Sequence, residues 1–197
     1  MPNELSHVKK LVVTAMLIAL CVILPLAFHS IPRAGSVILP MHIPILLAGL
    51  IVGWKYGLIA GLLGPFLSHH LTGMPPNPVV YAMMIELATY GLVAGIFSQF
   101  IRTKRSSFDL YISLIAAMLV GRVVAGVAQF VYFFGGTFLG GRYVEGVYHA
   151  TYPLAMWLTS YFATSLPGIV IQLAFIPSVV MALERERVIP LRYPVKA

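Results

Sequence analysis

Apolar residues in this chain fall into long runs broken by short polar or Gly- and Pro-rich stretches. Few carry the alternation that marks an element with one watery face. Six runs have the length and uniformity of membrane-crossing helices, at roughly 8–28, 39–53, 56–73, 79–101, 109–134 and 161–183. A span needs about 20 apolar residues at ~1.5 Å each, and only helices or closed barrels satisfy their backbone in lipid. The pattern predicts an all-α polytopic membrane protein with six transmembrane helices, residues 1–197 forming a single transmembrane domain.

The second and third runs organise the rest. Between Leu39 and Pro76 they are joined only by Gly53-Trp54-Lys55-Tyr56-Gly57, a hairpin too short to cross anything, so both begin and end on the same side. Pro40 and Pro44 open the second run, and Gly64-Pro65 interrupts the third. Each proline frees a backbone carbonyl that protein or a wet cavity must satisfy, which marks the stretch as a cavity wall rather than a plain anchor. Gly49 with Gly53, Gly57 with Gly61 and Gly91 with Gly95 stand four apart, the spacing at which small residues let helices approach closely.

Composition agrees with a lipid-embedded chain. It is 59% hydrophobic and 10% charged, where a soluble domain has about 25% charged residues. The excess of 13 Lys and Arg over 6 Asp and Glu does not indicate nucleic acid, because the basic residues sit at the ends of apolar runs. With six spans, Lys9, Lys10, Lys55, Arg102, Lys104, Arg105, Arg185, Arg187, Arg192 and Lys196 fall on one side, against Arg33 and Arg142 on the other. The positive-inside rule then predicts cytoplasmic N and C termini.

Lys9 and Lys10 ahead of Leu11 to Phe28 also resemble a signal peptide, but the run is longer than a signal core and lacks a small-x-small cleavage site, so a mature helix is expected. In that first span Ala15 and Ala19 form a smooth strip, either for an internal contact or for external docking. Cys21, the single cysteine, excludes a disulfide framework and is expected to be a small packing residue.

Glu86 in the fourth span and Arg122 in the fifth are the formal charges well inside spans. Such charges are costly in lipid and normally face the protein interior, find a partner or serve function. Helical rise places Glu86 about 10 Å below the outer surface and Arg122 about 20 Å above the inner one, so they can meet in the outer half of a ~30 Å core. A structural ion pair and a site for a polar ligand are both open. Gln129 extends the polar stripe outward from Arg122, and the loop between spans five and six is rich in Gly, Tyr and Trp, suited to interfacial anchoring or to a ligand site.

Enzyme signatures are absent. No Gly-x-Ser-x-Gly, HExxH or GxxxxGK[ST] motif occurs, and no pair of aspartates lies within spans. His69 and His70 would point about 100° apart on a helix, which suits interfacial side chains better than one metal ion. With no ATPase motif, active transport must draw on a partner or on an ion gradient, and a self-sufficient proton-coupled carrier would use an acid such as Glu86.

The order of features resembles the substrate-binding (S) components of energy-coupling factor (ECF) vitamin transporters over nearly the whole chain. The likeness rests on six spans with both ends inside, Ala15-Met16-Leu17-Ile18-Ala19, and LPMHIPILLAG followed by GMPP and ELATYGLVAG. It implies binding of a small vitamin or precursor on the outer side, and association with a membrane scaffold subunit and two ATPases in a prokaryotic plasma membrane. It implies further that the bound subunit reorients in the bilayer to release its ligand inside. It assigns the pocket to the outer halves of spans four to six with the first, third and fifth loops. On this sequence those regions hold Arg33, Asn77, Tyr81, Glu86, Arg122, Gln129, Trp157 and Tyr161, and Ala15 and Ala19 become the docking strip. Metal-binding members use an N-terminal Met-His; here Met41-His42 is internal, so neither metal nor cofactor is expected. The outer balance of Arg33, Arg122 and Arg142 against Glu86 and Glu145 favours a carboxylate ligand such as pantothenate, with pyridoxine or a hydroxymethylpyrimidine as alternatives.

Overall fold

A computed structural model describes residues 5–28, 30, 34–77, 79–101, 103, 105–138, 143–144, 147–148 and 157–189. Its long elements are helices: α1 (His7–Ala27), α2 (Ala34–Val37), α3 (His42–Leu47), α4 (Trp54–Thr72), α5 (Val79–Phe100), α6 (Ser106–Phe138) and α7 (Leu166–Arg185). Two-residue strands, Tyr143–Val144 and Val147–Tyr148, pair antiparallel between α6 and α7. Five segments are long and apolar enough to cross a membrane: α1, residues 35–52, α5, α6 to Gln129, and α7. α4, 19 residues long and packed along α5, is the candidate for a sixth pass. This is an all-α, multi-pass membrane protein.

Contacts fix the direction of each pass. The Tyr56 hydroxyl lies 3.3 Å from His7 Nδ1, the start of α4 meets Gly95 near the end of α5, and Ser106 Oγ donates to Glu184 Oε2 at 3.0 Å. One end of the bundle therefore gathers the start of α1, the α3–α4 connection, the end of α5, the start of α6 and the end of α7. Lys9, Lys10, Lys55, Arg105, Arg185 and Arg187 belong to that end. The start of α1 and the end of α7 thus share one end of the bundle with these basic residues, the arrangement that the basic bias requires.

The α3–α4 hairpin is tighter than the five-residue connection expected from sequence. A π-helical turn, Ala48–Val52, runs into Gly53, and α4 starts at the next residue. Gly53 makes this reversal at φ +111°, a conformation L side chains avoid. Close approach by small residues is borne out elsewhere. A Cβ on Gly91 would overlap the Gly57 carbonyl, one on Gly61 would overlap the backbone at Leu87, and one on Gly95 the backbone of Trp54. Along this seam α4 and α5 touch backbone to backbone.

The second span is not one continuous helix. Leu39 sits at φ +55°, Pro40 precedes the turn into α3, and Pro44 lies in the first turn of α3, where proline removes no helical hydrogen bond. Carbonyls at this bend meet protein donors. Leu39 O accepts from His42 N at 3.1 Å and Gln172 Nε2 at 3.5 Å, and Met41 O faces Cys21 Sγ at 3.8 Å. Cys21 is fully buried, a packing residue as expected. The last span, expected at 161–183, is interrupted at Ser165. A π-helical turn, Thr159–Thr164, ends there, and Pro167 occupies the first turn of α7, where its fixed φ suits a helix start.

Candidate functional site

At the end of the bundle opposite the basic residues lies a cavity of about 340 Å³. Six segments wall it: the end of α1 at Pro25, Gly35 to His42, the Met74-Pro75-Pro76 turn, α5, α6, and the π-helical turn before α7. Leu39 and Pro40 at the head of the interrupted second span line it, as does the Met74-Pro75-Pro76 turn, so the two ends of the Leu39–Pro76 stretch form a cavity wall, whereas Pro44 and Pro65 are buried in the packing. Carbonyls of Val37 and Ile38 pack against Gly168, where a Cβ would come within 2.6 and 2.7 Å, so the first segment is braced on α7.

Helical spacing decides which side chains arrive. On α5, Val79, Met83, Glu86 and Tyr90 share one face; the first three line the cavity and Tyr90 lies fully buried behind it. On α6, Arg122 and Gln129 lie two turns apart on the cavity face. The π-helical turn brings Ser160, Tyr161 and Ser165, and shifts its backbone bonding so that Tyr161 O accepts from Ser165 Oγ and from Arg122 Nη1. Gln129 Nε2 donates to the Tyr161 hydroxyl at 2.6 Å.

Glu86 and Arg122 are both buried and both reach the cavity, but they do not form the direct ion pair that sequence left open. Tyr90 stands between them. Its hydroxyl donates to Glu86 Oε1 at 3.0 Å and accepts from Arg122 Nε at 3.2 Å. Glu86 Oε1 also faces His42 Nε2 at 3.6 Å, and the His42 and Tyr90 rings pack at 5.2 Å between centroids. Phe162 lies under the guanidinium, 5.3 Å from ring centroid to Cζ. Arg122 thus commits Nε and Nη1 to the protein. Among the described residues Nη2 has no acceptor and Glu86 Oε2 no donor, yet neither belongs to the polar atoms sealed from solvent. The cavity is therefore lined by a cation and an anion that each keep one polar atom without a protein partner among the described residues.

Of the other residues expected at the site, Gln129 and Tyr161 line the cavity, whereas Trp157 packs behind Tyr161 at 6.2 Å and fills the space left by Gly126. Tyr81 is 59% exposed on another face of α5, and Asn77 is exposed just beyond the Pro75-Pro76 wall; neither lines the cavity. Arg33, Arg142 and Glu145 lie outside the described residues. Sequence reasoning missed His42, Tyr90, Ser160 and Ser165. The four-residue step from Glu86 to Tyr90 was the available signal for Tyr90. His69 Nδ1 contacts the Pro75 carbonyl at 2.7 Å and His70 Nδ1 the Phe66 carbonyl at 2.9 Å, each tied to backbone.

Over residues 9–180 the chain matches the family described as ECF transporter, substrate-specific component. It belongs to that family. No curated protein and no solved structure matches it. As an S component, the protein is the substrate-binding subunit of an ECF transporter, a class that takes a small ligand and works with the other subunits of an ECF module. The S component's docking candidates, Ala15 and Ala19, lie on the exposed side of α1, turned away from its buried stripe of Thr14, Leu17 and Cys21.

Proposed function

We propose that this S component captures a small water-soluble vitamin or precursor bearing a carboxylate, with pantothenate the favoured ligand. Capture takes place on the outer face of a prokaryotic plasma membrane. Delivery inside is ATP-driven, through a membrane scaffold subunit that docks on Ala15 and Ala19 and two ATPase subunits. One observation carries the choice of ligand: Arg122 and Glu86 line the same cavity, and Nη2 and Oε2 have no protein partner among the described residues. Its volume falls within the range of ordinary small-molecule sites, about 300–1,000 Å³. A carboxylate supplies the charge-assisted acceptor that Nη2 lacks, and a hydroxyl supplies the donor that Oε2 lacks. Pantothenate has both groups. Pyridoxine and a hydroxymethylpyrimidine bring hydroxyls but leave the guanidinium without an anion.

Gln129 and Tyr161 are the next contacts, since both line the cavity and are already bonded to each other. Mass spectrometry of small molecules carried through purification tests the assignment. A carboxylate-bearing vitamin or precursor is the expected finding, and a stoichiometric ligand without a carboxylate overturns it.

A further inference from the structure

Tyr90 touches no cavity space, yet it contacts both charges that do. Its position depends on α6: a Cβ on Gly121 would overlap the Tyr90 ring, so the missing side chain at Gly121 is the notch that admits it. The hydroxyl then bonds Glu86 and Arg122 at once, and the two hydrogen bonds of 3.0 and 3.2 Å hold the carboxylate oxygen and Nε at most about 6 Å apart. At that separation, in a buried site, two opposite charges with nothing between them collapse into a direct pair.

We infer that Tyr90, seated in the Gly121 notch, is a positioning residue that keeps Arg122 and Glu86 apart, so that each remains available to a bifunctional ligand. This rests on the reading that Arg122 meets the ligand carboxylate. Without the hydroxyl, Glu86 becomes the internal anion that occupies Arg122 and competes with the ligand.

Radiolabelled pantothenate binding to the purified full chain tests this with four variants. Tyr90→Phe keeps the ring in its notch and loses only the hydroxyl; at least a tenfold loss of affinity is expected. Adding Glu86→Gln to Tyr90→Phe removes the competing anion, so affinity recovers at least fivefold over Tyr90→Phe, which a merely structural role for Tyr90 does not produce. Gly121→Ala, which displaces the ring, lowers affinity as Tyr90→Phe does. Wild-type affinity in Tyr90→Phe, or no recovery in the double variant, overturns the inference. Arg122→Gln separates the two levels: if it binds like wild type, the carboxylate reading itself has failed. A ligand-free readout stands beside these. In unfolding experiments the coupling between Glu86→Gln and Arg122→Gln should rise about twofold in the Tyr90→Phe background, as the charges close from about 6 to about 3 Å. Unchanged or weaker coupling contradicts the collapse.

Discussion

Replacing Arg122 with glutamine tests the electrostatics of the site most sharply, because the structure sets the size of the effect. Glu86 and Arg122 are 6% and 3% exposed, and the hydrogen bonds through Tyr90 keep Glu86 Oε1 and Arg122 Nε within about 6 Å. At an effective dielectric of about 20, unit charges at that distance attract by roughly 3 kcal/mol. Loss of the charge-assisted bond from Arg122 to Tyr90 adds roughly 1.5–3 kcal/mol, partly offset by whatever bond the glutamine makes. Arg122→Gln therefore destabilises by about 3–5 kcal/mol, the range expected when a buried charge loses its partner. At about 2–4 °C per kcal/mol for a chain of this size, the melting temperature in detergent falls by about 10 °C. Adding Glu86→Gln removes the stranded carboxylate and returns about 3 kcal/mol. Melting of the two single variants and the double closes the thermodynamic cycle, and pantothenate affinity on the same proteins separates folding from binding. The double variant is expected to fold well and bind poorly. A double variant no more stable than Arg122→Gln refutes the coupling, and wild-type affinity in the double removes Arg122 from the site.

Bulky replacement of Ala15 and Ala19 is expected to block assembly with the scaffold subunit and uptake while leaving ligand affinity intact, as measured by co-purification and binding; loss of ligand binding instead shows that the strip packs internally. Gly91→Ala forces the α4–α5 seam apart and is expected to cost at least about 1–3 kcal/mol, whereas Gly35→Ala, with nothing within 4 Å of the added Cβ, leaves the melting temperature unchanged. Vesicles containing this chain alone under an imposed proton gradient are expected to show no concentrative uptake of radiolabelled pantothenate; robust uptake contradicts dependence on ATPase partners.

Much of the fold was legible because lipid imposes a simple rule. Apolar runs must be helices, and the placement of Lys and Arg follows from which ends are cytoplasmic. The second span departed from a continuous helix because the chain turns at Leu39 and Pro40 ahead of α3, and carbonyls at that turn face Cys21 and Gln172 on other helices. Those tertiary partners lie far off in sequence, so hydropathy carries no trace of them. At the site, Glu86, Arg122 and Gln129 were recognisable as polar groups in apolar surroundings and Tyr161 through the family resemblance, and they converge on one cavity. Tyr81 and Trp157 did not reach it. Rotation about the helix axis and packing against Gly126 decide their direction, and neither follows from residue type. In place of the direct ion pair that sequence left open stands a Tyr90 bridge, because Gly121 opens the space for the ring.

The central claim is that Arg122 selects a carboxylate in the outer cavity, and equilibrium binding of pantothenate against its neutral alcohol analogue, pantothenol, tests it most directly. Truncating one partner of a buried charge pair typically costs 2–5 kcal/mol, at least about 30-fold in affinity. Wild type is expected to prefer pantothenate by at least that factor, with the preference lost in Arg122→Gln. Equal affinity of wild type for the two compounds, or a preference that survives Arg122→Gln, contradicts the account.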